Sequence, residues 1–220
     1  MKPVLGFACF LGLSLAASLE RRPKQCQSPP LLTGGFTYST QNEKIWFMAG
    51  YEYDAFQQRI RIYESGIYNN QSFIYDVLLL FREGVMYEIN HKASTCTKKP
   101  LDVDFKPMGV PPNASLVGQY VVGSSSGPGE GLLVDTWGGK APNGGQYMVT
   151  VTDSGCVPVS TVMHTRDFGW VVVSYINNVK GIVDPSVLNP PPFCPGQEAK
   201  PEGPPLDFFT VVNNLRESAE

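Results

Sequence analysis

"SFIYDVLLLFREGVMYEIN", residues 72 to 90, is apolar enough to raise a membrane span and patterned enough to raise a sheet. As a strand over 72–81 it sends Phe73, Tyr75, Val77, Leu79 and Phe81 to one face and Ile74, Asp76, Leu78 and Leu80 to the other. Arg82, Glu83 and Gly84 then turn the chain, and Val85, Tyr87 and Ile89 return opposite Met86, Glu88 and Asn90. The stretch is therefore a hairpin and not a membrane helix. Both faces of its first strand are oily, so two coverings are needed, and the second is the open question.

Working outward, period-two alternation runs from Phe36 onward and is broken every eight to twelve residues by turn residues. "KIWFMAGYEY" reads as a strand, and "RIRIYE" as a half-buried one with Arg59 and Arg61 opposite Ile60 and Ile62. After Cys96, "KKPLDVDFKPMGVPPNAS" carries four prolines and reads as an irregular crossover with a short helical turn near Ala114. "QYVVGSS", "GLLVDTW", "QYMVTVTD", "CVPVSTVMH" and "WVVVSYI" resume the strands. No repeat and no composition break marks a second domain, so residues 19–196 read as one mainly β domain with few short helices.

The first eighteen residues, "MKPVLGFACFLGLSLAAS", combine an early lysine, an apolar run and small residues before a cut after Ser18, the pattern of a secretory signal peptide. No later stretch reaches the roughly 18 to 20 apolar residues of a membrane helix. Losing Lys2 with the leader takes the formal net charge from -3 to about -4, which disfavours nucleic acid as a partner. Residues 197–220 form a proline-rich tail, in which Asp207 is a candidate N-cap and Phe208, Phe209, Val212 and Leu215 a candidate helical stripe.

Four cysteines outlast the leader, Cys26, Cys96, Cys156 and Cys194, and in an exported chain an even number argues for two disulfides. Their spacing leaves all three pairings open. No C-x-x-C pair is present and His91 and His164 stand in unrelated segments, which argues against zinc. Sequons at Asn70 ("NQS") and Asn113 ("NAS") fit glycosylation in the secretory pathway.

Catalytic patterns are missing. No G-x-S-x-G elbow exists, "RDFG" lacks every other kinase element, and "SSSGPGEG" lacks the lysine and helix of a phosphate loop. Asp102 and Asp104 lack the glycine loop of an EF-hand. Without a nucleophile, a paired acid and base or a ligand cluster, the chain reads as a binding protein and not an enzyme.

"CQSPPLLTGG" after the leader, "YDAFQQRIRIYE", "LLLFREGVMYEIN", Cys96 soon after, "CVPV" and "GIVDPSVLNPPPFC" together resemble the ependymin-related proteins. The resemblance runs from Cys26 to Cys194. It implies two stacked antiparallel sheets forming a half-open barrel around a hydrophobic cavity, similar to bacterial lipoprotein carriers. It also implies a homodimer, extracellular and lysosomal residence, and binding of anionic lipids such as gangliosides. It pairs Cys26 with Cys156 and Cys96 with Cys194.

On that basis the cavity is expected to be lined by Val77, Leu79, Phe81, Val85 and Tyr87, with Val171, Val173 and Tyr175 facing them, and the second face of 72–81 to meet either the cavity or a second subunit, with Asp76 near an open edge. The alternative drawn from fish brain members is a calcium-binding glycoprotein of cell-matrix adhesion. Calcium is then the only cofactor in prospect.

Overall fold

The computed structural model describes residues 22–141, 144–166 and 168–194. The expected leader over 1–18 and the tail over 197–220 with its candidate helix lie outside the described residues.

Among the described residues, eleven antiparallel strands form one continuous ladder. They are β1 (Leu31–Thr40), β2 (Ile45–Asp54), β3 (Arg59–Tyr68), β4 (Gln71–Leu80), β5 (Val85–Asn90), β6 (Thr95–Pro100), β7 (Ser115–Gly123), β8 (Gly131–Lys140), β9 (Gln146–Thr152), β10 (Pro158–Thr165) and β11 (Gly169–Lys180). The order is β6-β5-β4-β3-β2-β1-β11-β10-β9-β8-β7, so among the described residues β6 and β7 are the edges and the sheet does not close. The two sheets of the expectation are two halves of this ladder, joined where β1 pairs with β11.

Local chemistry sets the corners. Asn69 and Asn70 hold φ of 47° and 65°, the double left-handed geometry of a two-residue hairpin that asparagine tolerates, and they turn β3 into β4. After β4, residues Phe81–Glu83 make a short 3₁₀ turn that Gly84 ends at φ 61°.

The register divides the chain's apolar residues cleanly. Val77 lies opposite Glu88, Leu78 opposite Tyr87, Leu79 opposite Met86 and Leu80 opposite Val85. Directly opposed residues share a face, so Val77 and Leu79 point with Met86, while Leu78 and Leu80 point with Val85, Tyr87 and Ile89. The first set joins the main core with Leu32, Phe36, Tyr51, Tyr53, Ile60, Ile62, Val171 and Val173. The crossover after β6 lies across this inner face, placing Leu101, Phe105 and Met108 in the same core.

Toward the C-terminal end of β4, the second face is covered by the chain itself. Leu78, Leu80, Tyr87 and Ile89 pack with Leu188, Cys194 and the partly buried Ile182, Val187 and Phe193, all from the segment that follows β11. Leu78, Leu80 and Leu188 are at most 2% exposed. Each such burial is worth about 1.5–3 kcal/mol. The chain covers its own sheet, and a disulfide from Cys96 to Cys194 staples the cover down.

Two arginines hold the same segment by its carbonyls. Arg59 donates to Leu188 O and Asn189 Oδ1, and Arg61 Nη1 donates to Val187 O at 2.6 Å. Arg61 also grips Asp76 through Nε (2.9 Å) and Nη2 (2.7 Å). The expectation that β3 is half-buried and that Asp76 sits near an open edge is thereby corrected. Arg61 is 5% and Asp76 7% exposed, because the returning segment lies over both.

The other disulfide joins Cys26 to Cys156, with Cα atoms 6.0 Å apart. It pins the N-terminal segment beside Trp137, Val149 and Val151 of the β8–β9 half, in a third cluster that also holds Val110 and Ala114 of the crossover. Both bridges are the pairs that the resemblance implies.

Candidate functional site

A pocket of about 190 Å³ opens on the inner face, at the end of the sheet where β2 starts and the β3–β4 hairpin turns. Its floor is Tyr38, Phe47 and Glu64, each 3% exposed. Half-buried Ile45, Phe73 and Phe168 form the sides, and Tyr68, Gln71, Ser72 and Tyr75 the exposed rim.

Two of the rings that line this space meet over a glycine. Across the ladder Tyr38 faces Phe47, Phe47 faces Gly66, and Gly66 faces Phe73. With no side chain between them, Phe47 and Phe73 lean together edge to face at 5.9 Å over Gly66, and Tyr38 stacks on Phe47 at 4.8 Å. A Cβ at Gly66 would run into Phe47 Cβ and the Trp46 carbonyl. Phe73 continues to Tyr75 at 5.3 Å, so aromatic rings line most of the wall.

Glu64 is the exception in that wall. It lies in the β3 row beside Ala49 and Tyr75, and its face is the core face. Burial and the Glu64 carboxyl together push the Tyr38 hydroxyl up to about 12, so Tyr38 remains a neutral phenol at any physiological pH. Among the described residues, no lysine, arginine or histidine lines the pocket.

An apolar cavity of about 150 Å³ accepts benzene, so this one has room for a ring-sized group or the equivalent length of aliphatic chain, and not for a long tail entire. None of the eight residues expected to line a common cavity lies in its wall. Val77, Leu79, Val171 and Val173 are at most 4% exposed within the main core, with Phe81 and Tyr175 packed against it. Val85 and Tyr87 are on the opposite side of the sheet, under the returning segment. The residues that do line the pocket were legible only as strand positions.

The outer face carries apolar surface as well. Trp46, Met48, Ile67 and Ile74 are 50%, 46%, 44% and 77% exposed. Trp46 lies directly opposite Ile67, so they form a continuous strip over β2, β3 and β4. A second exposed group, including Val117, Tyr120, Val122 and Leu132, marks the β7–β8 edge.

Asn70 and Asn113 are both exposed, Asn70 at the hairpin tip beside the pocket rim and Asn113 in the turn before β7. Asp102 and Asp104 are exposed in the crossover. Among the described residues, no group of three or more His, Cys, Asp or Glu side chains is placed to hold a metal ion, and no helix is long and apolar enough to cross a membrane. His91 Nε2 sits 2.7 Å from Asp76 Oδ2 and packs edge-on to Phe193, while His164 packs against Trp170.

Comparison with known proteins agrees with this picture. A crystal structure of an uncharacterised conserved protein from Thermus thermophilus superposes with a TM-score of 0.51 over 79% of this chain and 91% of its own, at 8% identity, which establishes a shared fold alone. Ependymin-1 of Oncorhynchus mykiss is 32% identical over 212 residues, 94% of each chain. Mammalian ependymin-related protein 1 of Mus musculus is 32% identical over 195 residues, 87% of this chain and 84% of its own. The ependymin family model matches residues 69–194, from the tip of the β3–β4 hairpin to the second disulfide. The chain belongs to the ependymin family.

Proposed function

We propose that this protein is an exported, non-catalytic glycoprotein that binds lipids and related amphiphiles, with the inner pocket as the site of capture. The observation that carries the reading is the concave cleft walled by the rings of Tyr38, Phe47, Phe73 and Tyr75. A concave apolar site with few polar groups is the ordinary form of a small-molecule site. Each methylene taken from water contributes about 0.8 kcal/mol, so even a partly inserted chain supplies several kcal/mol gross. Residence in an oxidising compartment, extracellular or lysosomal, is supported by the two disulfides.

Uptake of a fluorescent acyl probe by the purified protein tests the reading. Ile45→Trp fills the pocket from its half-buried side and should abolish uptake without lowering the unfolding temperature. Undiminished uptake by that variant moves the lipid elsewhere.

The exposed strip of Trp46, Met48, Ile67 and Ile74 supports a homodimer built on the outer face. Ile74 is exposed enough for Ile74→Asp to leave folding intact, and sedimentation should then show monomers. A dimer that survives the change places the seam elsewhere.

A further inference from the structure

Resting on the reading of the inner pocket as a lipid site, we propose that Asn70 carries an N-linked glycan whose first sugar lies over the mouth of that pocket and gates the entry and exit of the lipid. Asn69 and Asn70 stand in tandem, but only Asn70 heads a sequon, Asn70-Gln71-Ser72. All three residues of the sequon are exposed, and Gln71 and Ser72 belong to the rim of the pocket. Tyr68, two positions before Asn70, is on the same rim. The attachment point therefore stands no more than two residues, about 7 Å of extended chain, from three rim positions.

The hairpin tip gives the sugar a firm base and a direction. With φ of 47° at Asn69 and 65° at Asn70 the turn takes one tight form. The Asn69 N–H donates to the Lys44 carbonyl at 2.8 Å, which ties the tip to the chain just before Ile45, a side of the pocket. Tyr68 lies directly opposite Gln71 across the turn, so the two side chains share a face, the inner one. The Tyr68 ring is 37% exposed. The negative face of an aromatic ring attracts the polarised C–H bonds of a pyranose, so this ring is a platform that holds the sugar inward over the mouth. The sequon at Asn113 provides the contrast, since none of residues 113–115 lines the pocket.

A sugar in that position narrows the directions from which a chain can reach the mouth, and it hinders departure by the same factor. It makes no contact with the part of the chain already inside, so it has no differential interaction with which to shift the equilibrium. The Asn70 glycan is thus a kinetic gate, lowering both rates and leaving affinity almost unchanged.

The test uses full-length protein secreted from a glycosylating host. Peptide mass spectrometry should find Asn70 modified; an unmodified Asn70 overturns the proposal. Stopped-flow fluorescence with cis-parinaric acid then compares this protein with Asn70→Gly, which removes the glycan and places glycine, the residue best suited to positive φ, in the turn. Association and dissociation should both quicken several-fold with little change in affinity, while Asn113→Gln leaves both rates as they were. Equal rates with and without the Asn70 glycan overturn the gate while the lipid reading stands, and no uptake by either form overturns both. Should Asn70→Gly fail to be secreted, peptide-N-glycosidase treatment of folded Asn113→Gln protein strips the same glycan and should give the same acceleration; unaltered rates after complete release count against the gate. In protein trimmed to the first N-acetylglucosamine, nuclear Overhauser effects should join that sugar to the Tyr68 ring. Contacts to Trp46 or Ile67 instead would place it on the outer face and overturn the proposal.

Discussion

Replacing Asp76 by asparagine should be one of the most damaging conservative changes available in this protein. Asp76 receives two bonds from Arg61, at 2.9 and 2.7 Å, and one contact from His91 at 2.7 Å, while only 7% exposed. Burial works against the Arg61 charge, and the Asp76 carboxylate more than offsets it, so Arg61 stays a cation under the returning segment. Asp76→Asn keeps the shape but leaves that guanidinium without its bidentate partner. Removing one member of a buried ion pair costs about 3–5 kcal/mol.

With a urea m-value of about 2 kcal/mol/M, the lower figure moves the unfolding midpoint down by about 1.5 M. The melting temperature should fall by roughly 10 °C for a chain of this size. Equilibrium urea unfolding followed by tryptophan fluorescence reads the change. Arg61→Met with Asp76→Leu removes both charges and should cost clearly less than Asp76→Asn alone. A midpoint shift below about 0.5 M for Asp76→Asn would refute the claim that this pair is a desolvated clamp.

Three further outcomes follow from the same geometry. Burial raises the Glu52 carboxyl above its ordinary 4.5, the facing Arg61 lowers it and Asp76 raises it again, and Oε2 has no hydrogen-bond partner among the described residues. A raised acid keeps its stability below the unfolded value and loses it as pH rises through the folded one, so Glu52→Gln should stabilise the protein at pH 7.5 and change little at pH 4; urea midpoints at both pH values decide it. Gly66→Val forces Phe47 and the Trp46 carbonyl to move and should cost about 1–3 kcal/mol in thermal melts while closing the pocket to probes. Cys96→Ser with Cys194→Ser opens a loop spanning 98 positions and should cost about 4–5 kcal/mol in the chain-entropy model, with Leu188 and Phe193 becoming accessible to hydrogen exchange in their segment; unchanged exchange there argues against a stapled cover.

The sheet was legible because alternation is local. Most strands fall where period-two segments stand, and the turns at Asn69–Asn70 and Gly84 carry residues suited to positive φ. What covers a strand is not local. Leu78 and Leu80 announced that a second face must be buried, but their partners, Leu188 and Phe193, lie more than a hundred positions later, on either side of the run of three prolines at 190–192. Arg61 and Asp76 read as exposed for the same reason. Hydrophobicity marks burial and not vacancy: Val77, Leu79, Val171 and Val173 are so apolar that the core takes them. The pocket is walled by side chains that meet across strands, Tyr38, Phe47 and Phe73 among them, a juxtaposition that no single strand announces.

The central claim is that amphiphiles bind inside the sheet and not on its outer apolar strip. Intermolecular nuclear Overhauser effects on methyl- and ring-labelled protein, with dodecyl maltoside as ligand, test it most directly. The account predicts contacts from ligand protons to the Ile45 methyls and the Phe47 and Phe73 rings. Contacts confined to the methyls of Met48, Ile67 and Ile74 would contradict it.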